Sequence, residues 1–333
     1  MTDHPVTDHY RGRKVLIAGG LGFVGSNLAR HLVTAGADVL IVDSLHAGLG
    51  GNLFNVVDIR DQVRVDKADI RDEPAMRALV RGHDYVFNLA AQVSHTGSMQ
   101  DPYTDLEINA RGALSLLEAC RHENPEVTIV FASTRQIYGR PEYLPVDERH
   151  PVRPTDINGV HKMAGELYHR VYHTAYGLKT VSLRLTNTYG PRMHVRDARQ
   201  TFVGWWVRQI VEGQALQIFG DGRQVRDFNY VDDVVEALLL AATSDAAVGE
   251  AFNLGSADST SLLDLAKLMV ELNGGGECEI VAFPDRRKRI DIGDFHGDFR
   301  KAHNELGWQP RVSLRGGLLR TLEYYKEHLQ HYV

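Results

Sequence analysis

VLIAGGLGFVGSNLARHL, residues Val15–Leu32, carries the local pattern that decides the fold. An aliphatic run, Val15–Ala18, has the composition of a buried strand. It meets Gly19, Gly22 and Gly25 at a G-x-x-G-x-x-G spacing and passes into an apolar helical stretch. Glycine there permits a tight turn and lets backbone N–H groups close on a pyrophosphate at the helix N-terminus. A merely flexible turn would also use glycine, but the position between a first strand and a helix favours a nucleotide site. Asp43 ends the next apolar run, 18 residues beyond Gly25. A carboxylate there accepts hydrogen bonds from a ribose diol and repels a 2′-phosphate, which favours NAD over NADP.

Outward from this segment, strands are expected at Val15–Ala18, Val39–Asp43, Val63–Ala68, Tyr85–Leu89, Val127–Ala132 and Thr180–Leu185. Amphipathic stretches at Asp105–Arg121 and Asn158–Tyr176 lie among them. This alternation predicts an α/β fold of the Rossmann type, a doubly wound parallel sheet. Beyond Pro191 come short strands (Leu216–Phe219, Glu279–Val281) and helices (Thr201–Glu212, Asp232–Ala242, Ser261–Leu272), read as a smaller C-terminal α/β substrate lobe. The expected division is a polar tail over 1–12, a dinucleotide-binding domain over 13–190 that takes back parts of 220–255, and the lobe over 191–333.

Composition limits the function. The 333 residues are 43% hydrophobic and 24% charged, as in an ordinary globular protein. A formal net charge of −6 gives no general attraction to nucleic acid or an acidic membrane. No apolar run reaches the roughly 18 residues of a membrane helix. Cys120 and Cys278 lie too far apart in sequence to suggest a metal cluster or a disulfide framework, and a cytoplasmic setting is expected. His169 and His173 have helical ligand spacing but no third partner, so no metal is expected.

Further candidates follow the strand ends. Asp69-Ile70 would hold an adenine, or Asp69 is a solvated strand-end acid. Leu89-Ala90-Ala91 is small enough to let the backbone approach a dinucleotide. Asn109 either braces that loop or is a satisfied buried amide.

In order along the chain stand AGGLGFVGS, the VD at Asp43, DIRD at Asp69–Asp72 and NLAAQ at Asn88–Gln92. FASTRQIYG at Phe131–Gly139, LRLTNTYGP at Leu183–Pro191 and GDGRQVRDFNYVDD at Gly220–Asp233 follow, then FNLGS at Phe252–Ser256 and LGWQP at Leu306–Pro310. From about Lys14 to Tyr325 the sequence thus resembles the extended short-chain dehydrogenase/reductases. Within them it resembles the nucleotide-sugar epimerase/dehydratase family, whose UDP-glucose/galactose 4-epimerase-like enzymes show this pattern. The resemblance implies an NAD-dependent enzyme acting on a nucleotide-diphosphate sugar. It implies that Thr134 hydrogen-bonds the reacting sugar oxygen and that Lys162 holds the cofactor and lowers the pKa of a nearby acid. Without that register Lys162 would read as an exposed helix lysine. Phe23, Val24, Ser44 and Val93 join the implied cofactor set. Asn187 and Arg226 are implied at the sugar diphosphate, Lys288 with Arg289 beside them, and Thr201 and Phe219 at the nucleobase; core packing accounts for Phe219 equally well. A homodimer packed through Asp105–Arg121 and Asn158–Tyr176, with Leu114, Leu117, Leu167 and Val171 at the interface, is also implied, although an intramolecular core accounts for those four residues equally well.

Two departures bear on the reaction. The family carries a tyrosine four residues before the lysine, where this chain has Asn158. An amide cannot accept a proton from a sugar hydroxyl near neutral pH. His161 leads the replacements, with His95 and His194 behind it. Dehydrating relatives carry an Asp-Glu pair after the Ser/Thr hydroxyl, where this chain has Arg135-Gln136. Epimerisation through a transient keto sugar, with NAD recycled, is therefore the expected chemistry. A ketoreductase or dehydrogenase, a dehydratase of the same family, and a catalytically impaired binder of NAD and nucleotide sugar stay open beside it.

Overall fold

The structure is a computed structural model that describes residues 8–333. The expected polar tail lies partly outside the described residues, at 1–7. The rest of it is anchored, because Tyr10 is fully buried, donates to the Leu239 carbonyl (2.8 Å) and packs on Tyr85.

Twelve strands form three sheets among the described residues. The strands are β1 (Lys14–Ala18), β2 (Asp38–Val42), β3 (Val63–Asp66), β4 (Tyr85–Asn88), β5 (Thr128–Thr134) and β6 (Lys179–Leu185), then β7 (Asn187–Tyr189), β8 (Leu216–Phe219), β9 (Val225–Tyr230), β10 (Ala251–Leu254), β11 (Ser259–Ser261) and β12 (Cys278–Val281). Seven of them form one parallel sheet in the order β10-β6-β5-β4-β1-β2-β3. The chain order reverses between β1 and β4. In this topology a crevice opens at the carboxyl ends of those two strands. Ala18 pairs with Val42 on one side and Asn88 on the other, so the loops that follow β1, β2 and β4 emerge together.

The near-continuous apolar strands are explained by burial on both faces. Side chains alternate along a strand, so Val15 and Ile17 face one way and Leu16 and Ala18 the other. Val15 and Ile17 join Leu28 and Leu32 of the Phe23–Thr34 helix and Val234 and Leu238 of the Val231–Thr243 helix. Leu16 and Ala18 join Leu116, Leu117 and Cys120 of the Gly112–Glu123 helix on the opposite face. Each such buried aliphatic side chain contributes about 1.5–3 kcal/mol. A separate apolar cluster unites the helices Phe202–Val211, Leu262–Asn273 and Leu314–His328 around Trp206, Ile210, Met269 and Leu318. It carries the β8–β12 pair, while β7, β9 and β11 make a third small sheet.

Several expected bounds shift. Strands β2, β3 and β4 stop at Val42, Asp66 and Asn88, which leaves Asp43, Ala68 and Leu89 in the loops beyond. Strand β5 runs on to Thr134 because it is paired along its whole length with β6. The stretch read as one helix over Asp105–Arg121 is three pieces: Pro102–Leu106, a π-helical turn at Glu107–Arg111, and Gly112–Glu123. Asp101 caps the first piece by accepting from Thr104 N–H. Of the residues expected at a dimer interface, Leu117 is fully buried within its own chain and so is not available to a partner, while Leu114 is half-buried against the same cluster. Leu167 and Val171 are exposed. Among the described residues no helix is long and apolar enough to cross a membrane.

Candidate functional site

Three connected chambers follow the carboxyl edge of the large sheet. The first is walled by Gly19, Gly22, Asp43, Ser44, Asp69, Ile70, Leu89, Ala90 and Ala91. The second shares Gly19, Gly22, Leu89 and Ala91 with the first. It adds Phe23, Val24, Gly25, Val93, Thr134, Asn158, Lys162 and Asn187. The third, between β9 and the Asp285–Ile290 helix, shares His95, Arg135, Asn187 and Thr201 with the second.

The glycines have separate causes. Gly19 has φ +80°, and a Cβ there would meet the Ala90 amide nitrogen at 2.7 Å, so the loops after β1 and β4 touch only because Gly19 lacks a side chain. A Cβ on Gly25 would overlap the Gly19 carbonyl oxygen. Gly22 caps the Phe23–Thr34 helix with no side-chain hydrogen bond and no acid in the first turn. A phosphate-sized anion fits that end, where N–H groups and the helix dipole both favour negative charge. Asp43 accepts from Leu21 N–H (3.1 Å) and Leu45 N–H (2.9 Å), and burial nevertheless raises its pKa above the usual carboxylate value. Its carboxylate is held at the wall where a ribose would lie. Asp69 is engaged locally: the Arg71 guanidinium makes two hydrogen bonds to it, at 2.9 and 2.6 Å, its backbone N–H a third at 2.9 Å, and together they hold its pKa down. Ile70 is the apolar wall beside it. These donors and cavities fit a dinucleotide.

Asn109 does not line the chambers. Its amide makes a double hydrogen bond to the Gln92 backbone, accepting from N–H (3.2 Å) and donating to the carbonyl (2.9 Å), and so fixes the loop after β4. The same Gln92 carbonyl accepts from Asn158 Nδ2 at 2.8 Å, and that nitrogen also donates to Asp105 at 3.1 Å. Two acceptors fix the amide orientation, because only the NH₂ end can serve both. Asp105 is wholly buried, and its other oxygen lies 2.7 Å from His161 Nδ1. His161 is thereby turned away from the cleft and does not line it. That removes the leading histidine of the sequence reading from direct contact with a ligand.

Lys162 lies one helical turn beyond Asn158 and is almost wholly buried. Its ammonium donates to the Ala132 carbonyl (2.7 Å) and sits 4.6 Å from the centre of the Phe131 ring. Burial pushes its pKa down to about 8, partly offset by Asp105. Thr134 ends β5, two residues beyond Ala132, and its Oγ1 accepts from Gln136 N–H at 3.2 Å. His95 lies where the second and third chambers meet, with Nδ1 3.0 Å from Asp156 Oδ2 along an oblique line.

In the third chamber Asn187 Nδ2 donates to the Asp227 carbonyl (2.8 Å) and its oxygen accepts from Arg135 (3.0 Å). Arg226 is buried and already committed: it donates to the carbonyls of Val225 and Gly293 and lies 3.4 Å from Asp291. Phe219 lines the chamber beneath Arg287, whose guanidinium is 5.1 Å from its ring centre. Thr201 lies between the chambers. Lys288 and Arg289, expected here, are exposed and outside the lining; Arg287 occupies the wall instead. A one-residue register error on a short helix swings a side chain by about 100°. Composition also gave no sign of Asp105, Gln92 or Asp156. Only the last had a local signal, an Asp at the N-cap of a helix. His169 and His173 bond separate carbonyls, those of Gly165 and Leu178, and among the described residues no cluster of three ligand-type side chains occurs.

A family model described as the NAD dependent epimerase/dehydratase family matches residues 15–255. A UDP-glucose 4-epimerase of Mycolicibacterium smegmatis is 32% identical over 321 residues, covering 95% of this chain and 100% of the relative. The solved structure of an epimerase from Methanothermobacter thermautotrophicus matches with TM-score 0.91 at 31% identity, over 98% of this chain and 96% of that one. A UDP-glucose 4-epimerase from Thermotoga maritima, solved with UDP-glucose, matches with TM-score 0.87 at 35% identity, over 95% and 99% of the two chains.

Proposed function

The chain belongs to the NAD dependent epimerase/dehydratase family, and from that premise we propose that it is a nucleotide-sugar epimerase. It inverts a sugar carbon, C4 being the position favoured, through a transient keto sugar. The observation that carries this reading is that the chamber of Thr134 and Lys162 is continuous with the glycine-walled dinucleotide chamber, through Gly19 and Gly22, and with the chamber of Arg226, through Arg135 and Asn187. Bound there, NAD would supply the redox chemistry, as the acceptor and donor of the sugar carbon's hydride. The first-turn N–H groups after Gly22 would hold its diphosphate, Asp43 its adenosine ribose and Lys162 its nicotinamide ribose. Leu89, Ala90, Ala91, Val93 and Ser44 wall it in, with Asp69 and Ile70 toward the adenine.

Thr134 orients the reacting oxygen. The buried Lys162 cation, near its own deprotonation, favours negative charge developing on that oxygen. Asn187, Arg226 and Arg287 face the sugar diphosphate, Arg226 exchanging Asp291 for phosphate oxygens. Thr201 and Phe219 border the base. Arg135-Gln136 offers no acid for elimination of water, which favours epimerisation over dehydration. A cytoplasmic homodimer through the exposed Leu167 and Val171 accompanies this reading.

The test is incubation of the NAD-loaded protein with a panel of nucleotide sugars, followed by NMR and by absorbance of reduced cofactor. Inversion at one carbon without net NADH supports the reading. Net NADH change makes the protein a reductase or dehydrogenase, and tight binding with every sugar unchanged makes it a binder.

A further inference from the structure

We propose that His95, seated against Asp156, takes the sugar hydroxyl proton in this chain. This rests on the nucleotide-sugar reading of the same cleft and names the acceptor that Asn158 cannot be. The long helix Ile157–Tyr176 sets Asn158 and Lys162 on one wall. Asp156 caps that helix, its Oδ1 accepting from Gly159 N–H at 2.7 Å, so the carboxylate is fixed to the same rigid element. Its Oδ2 accepts from Gln136 Nε2 (2.8 Å) and lies 3.0 Å from His95 Nδ1. The Asp156 side chain is fully buried while the imidazole remains 37% exposed. Nδ1 is buried and makes no aligned hydrogen bond in this structure; a small turn of the ring onto Oδ2 would satisfy it, select the tautomer with the proton on Nδ1 and leave Nε2 as a lone-pair acceptor. Nε2 makes no hydrogen bond among the described residues.

Position separates His95 from the other histidines. It borders both the chamber of Thr134 and Lys162 and the chamber of Arg226, where a sugar joined to a diphosphate must pass. His194 lies against Gly50 at the far side, with Nε2 3.6 Å from Asp197. His161 points to Asp105 behind the wall. The charged and titratable groups that share chambers with His95 are Arg135, Lys162, His194, Arg199, Arg226, Arg287 and Asp291, with Asp156 at its back. Burial opposes ionisation of Asp156, yet its contacts with His95, Gly159 N–H and Gln136 hold its pKa below the usual value, so the carboxylate stays charged behind the ring.

In the step assigned to His95 the sugar O–H bond breaks and an N–H bond forms at Nε2. The electron pair left on oxygen becomes the second C–O bond as hydride leaves the carbon for the oxidised cofactor. The proton returns from Nε2 when the hydride does.

His95→Gln is expected to lower kcat by about 100-fold or more, the range lost with a general base, while NAD and nucleotide-sugar affinities stay within about threefold. Added imidazole should restore part of the rate, and the acid limb of the kcat/KM profile should disappear. A readout free of turnover is the long-range proton–nitrogen NMR spectrum. There His95 should carry its proton on Nδ1 in the wild type and lose that preference in Asp156→Asn. Retained kcat in His95→Gln, an acid limb that persists there and so belongs to another group such as Lys162, or an Nε2-protonated ring in the wild type would each overturn the assignment. Turnover surviving in His95→Gln removes His95 and leaves the epimerase. A wild type inert toward every nucleotide sugar removes both.

Discussion

His169 should make this protein's acid stability depend on one buried ring. It lies on the inner face of the Ile157–Tyr176 helix, fully buried and stacked on Phe131 at 4.4 Å, with Nδ1 2.7 Å from the Gly165 carbonyl. Its Nε2 has no partner among the described residues. Burial, aided by the Lys162 charge, pushes the pKa from 6.5 down to about 4. Between those values the unfolded chain binds a proton that the folded protein refuses, so this ring's contribution to stability rises with pH across that window. A shift of ~2.5 units corresponds to ~3 kcal/mol at about 1.4 kcal/mol per unit. Asp227 works in the opposite sense, because burial raises its pKa from 3.8 to about 6 and its contribution falls as pH rises through that range. The two nearly cancel in the wild type, so the difference between wild type and variant is the informative quantity. In His169→Gln the loss of packing is the same at every pH, whereas the titration is gone. Urea unfolding from pH 4 to pH 7 should therefore show the variant gaining ~3 kcal/mol on the wild type at the acid end relative to the neutral end. An equal difference at both ends would refute the reasoning.

Other expectations follow the same geometry. Asp43→Asn should raise the NAD dissociation constant about 10- to 100-fold, the worth of a charged hydrogen-bonding partner; calorimetry showing unchanged affinity contradicts its place at the ribose. Arg226→Ala should weaken nucleotide-sugar binding about tenfold or more, as loss of an ionic contact does, and leave NAD affinity alone; equal effects on both ligands would place the arginine elsewhere. Lys162, held near a pKa of about 8 by burial against 10.5 for the free side chain, adds stability as pH rises between those values. Melting temperatures of Lys162→Met should lack that rise, and a parallel rise in wild type and variant would count against it.

The large sheet was legible because its strands are buried on both faces, and runs such as Val15–Ala18 and Val39–Val42 then have no polar alternation to obscure them. The glycine turn was legible because Gly19 must adopt a positive φ against Ala90, which leaves glycine at that position. Strand β10 was harder, since its four residues join the sheet beside β6 only through contacts distant in sequence. The site was read unevenly for the same reason. Lys162 and Thr134 sit in local motifs, but Asp105, which orders Asn158 and His161, lies more than 50 residues from both and has no neighbourhood pattern of its own. The Arg287-for-Lys288 difference arises on a six-residue helix, too short for periodicity to fix its face.

The most direct measurement is a crystal structure of the protein with NAD. The diphosphate is expected on the N–H groups after Gly22, the adenosine ribose on Asp43, and the nicotinamide between Thr134 and Lys162. A cofactor lying elsewhere, or that crevice closed by packed side chains, would contradict the account.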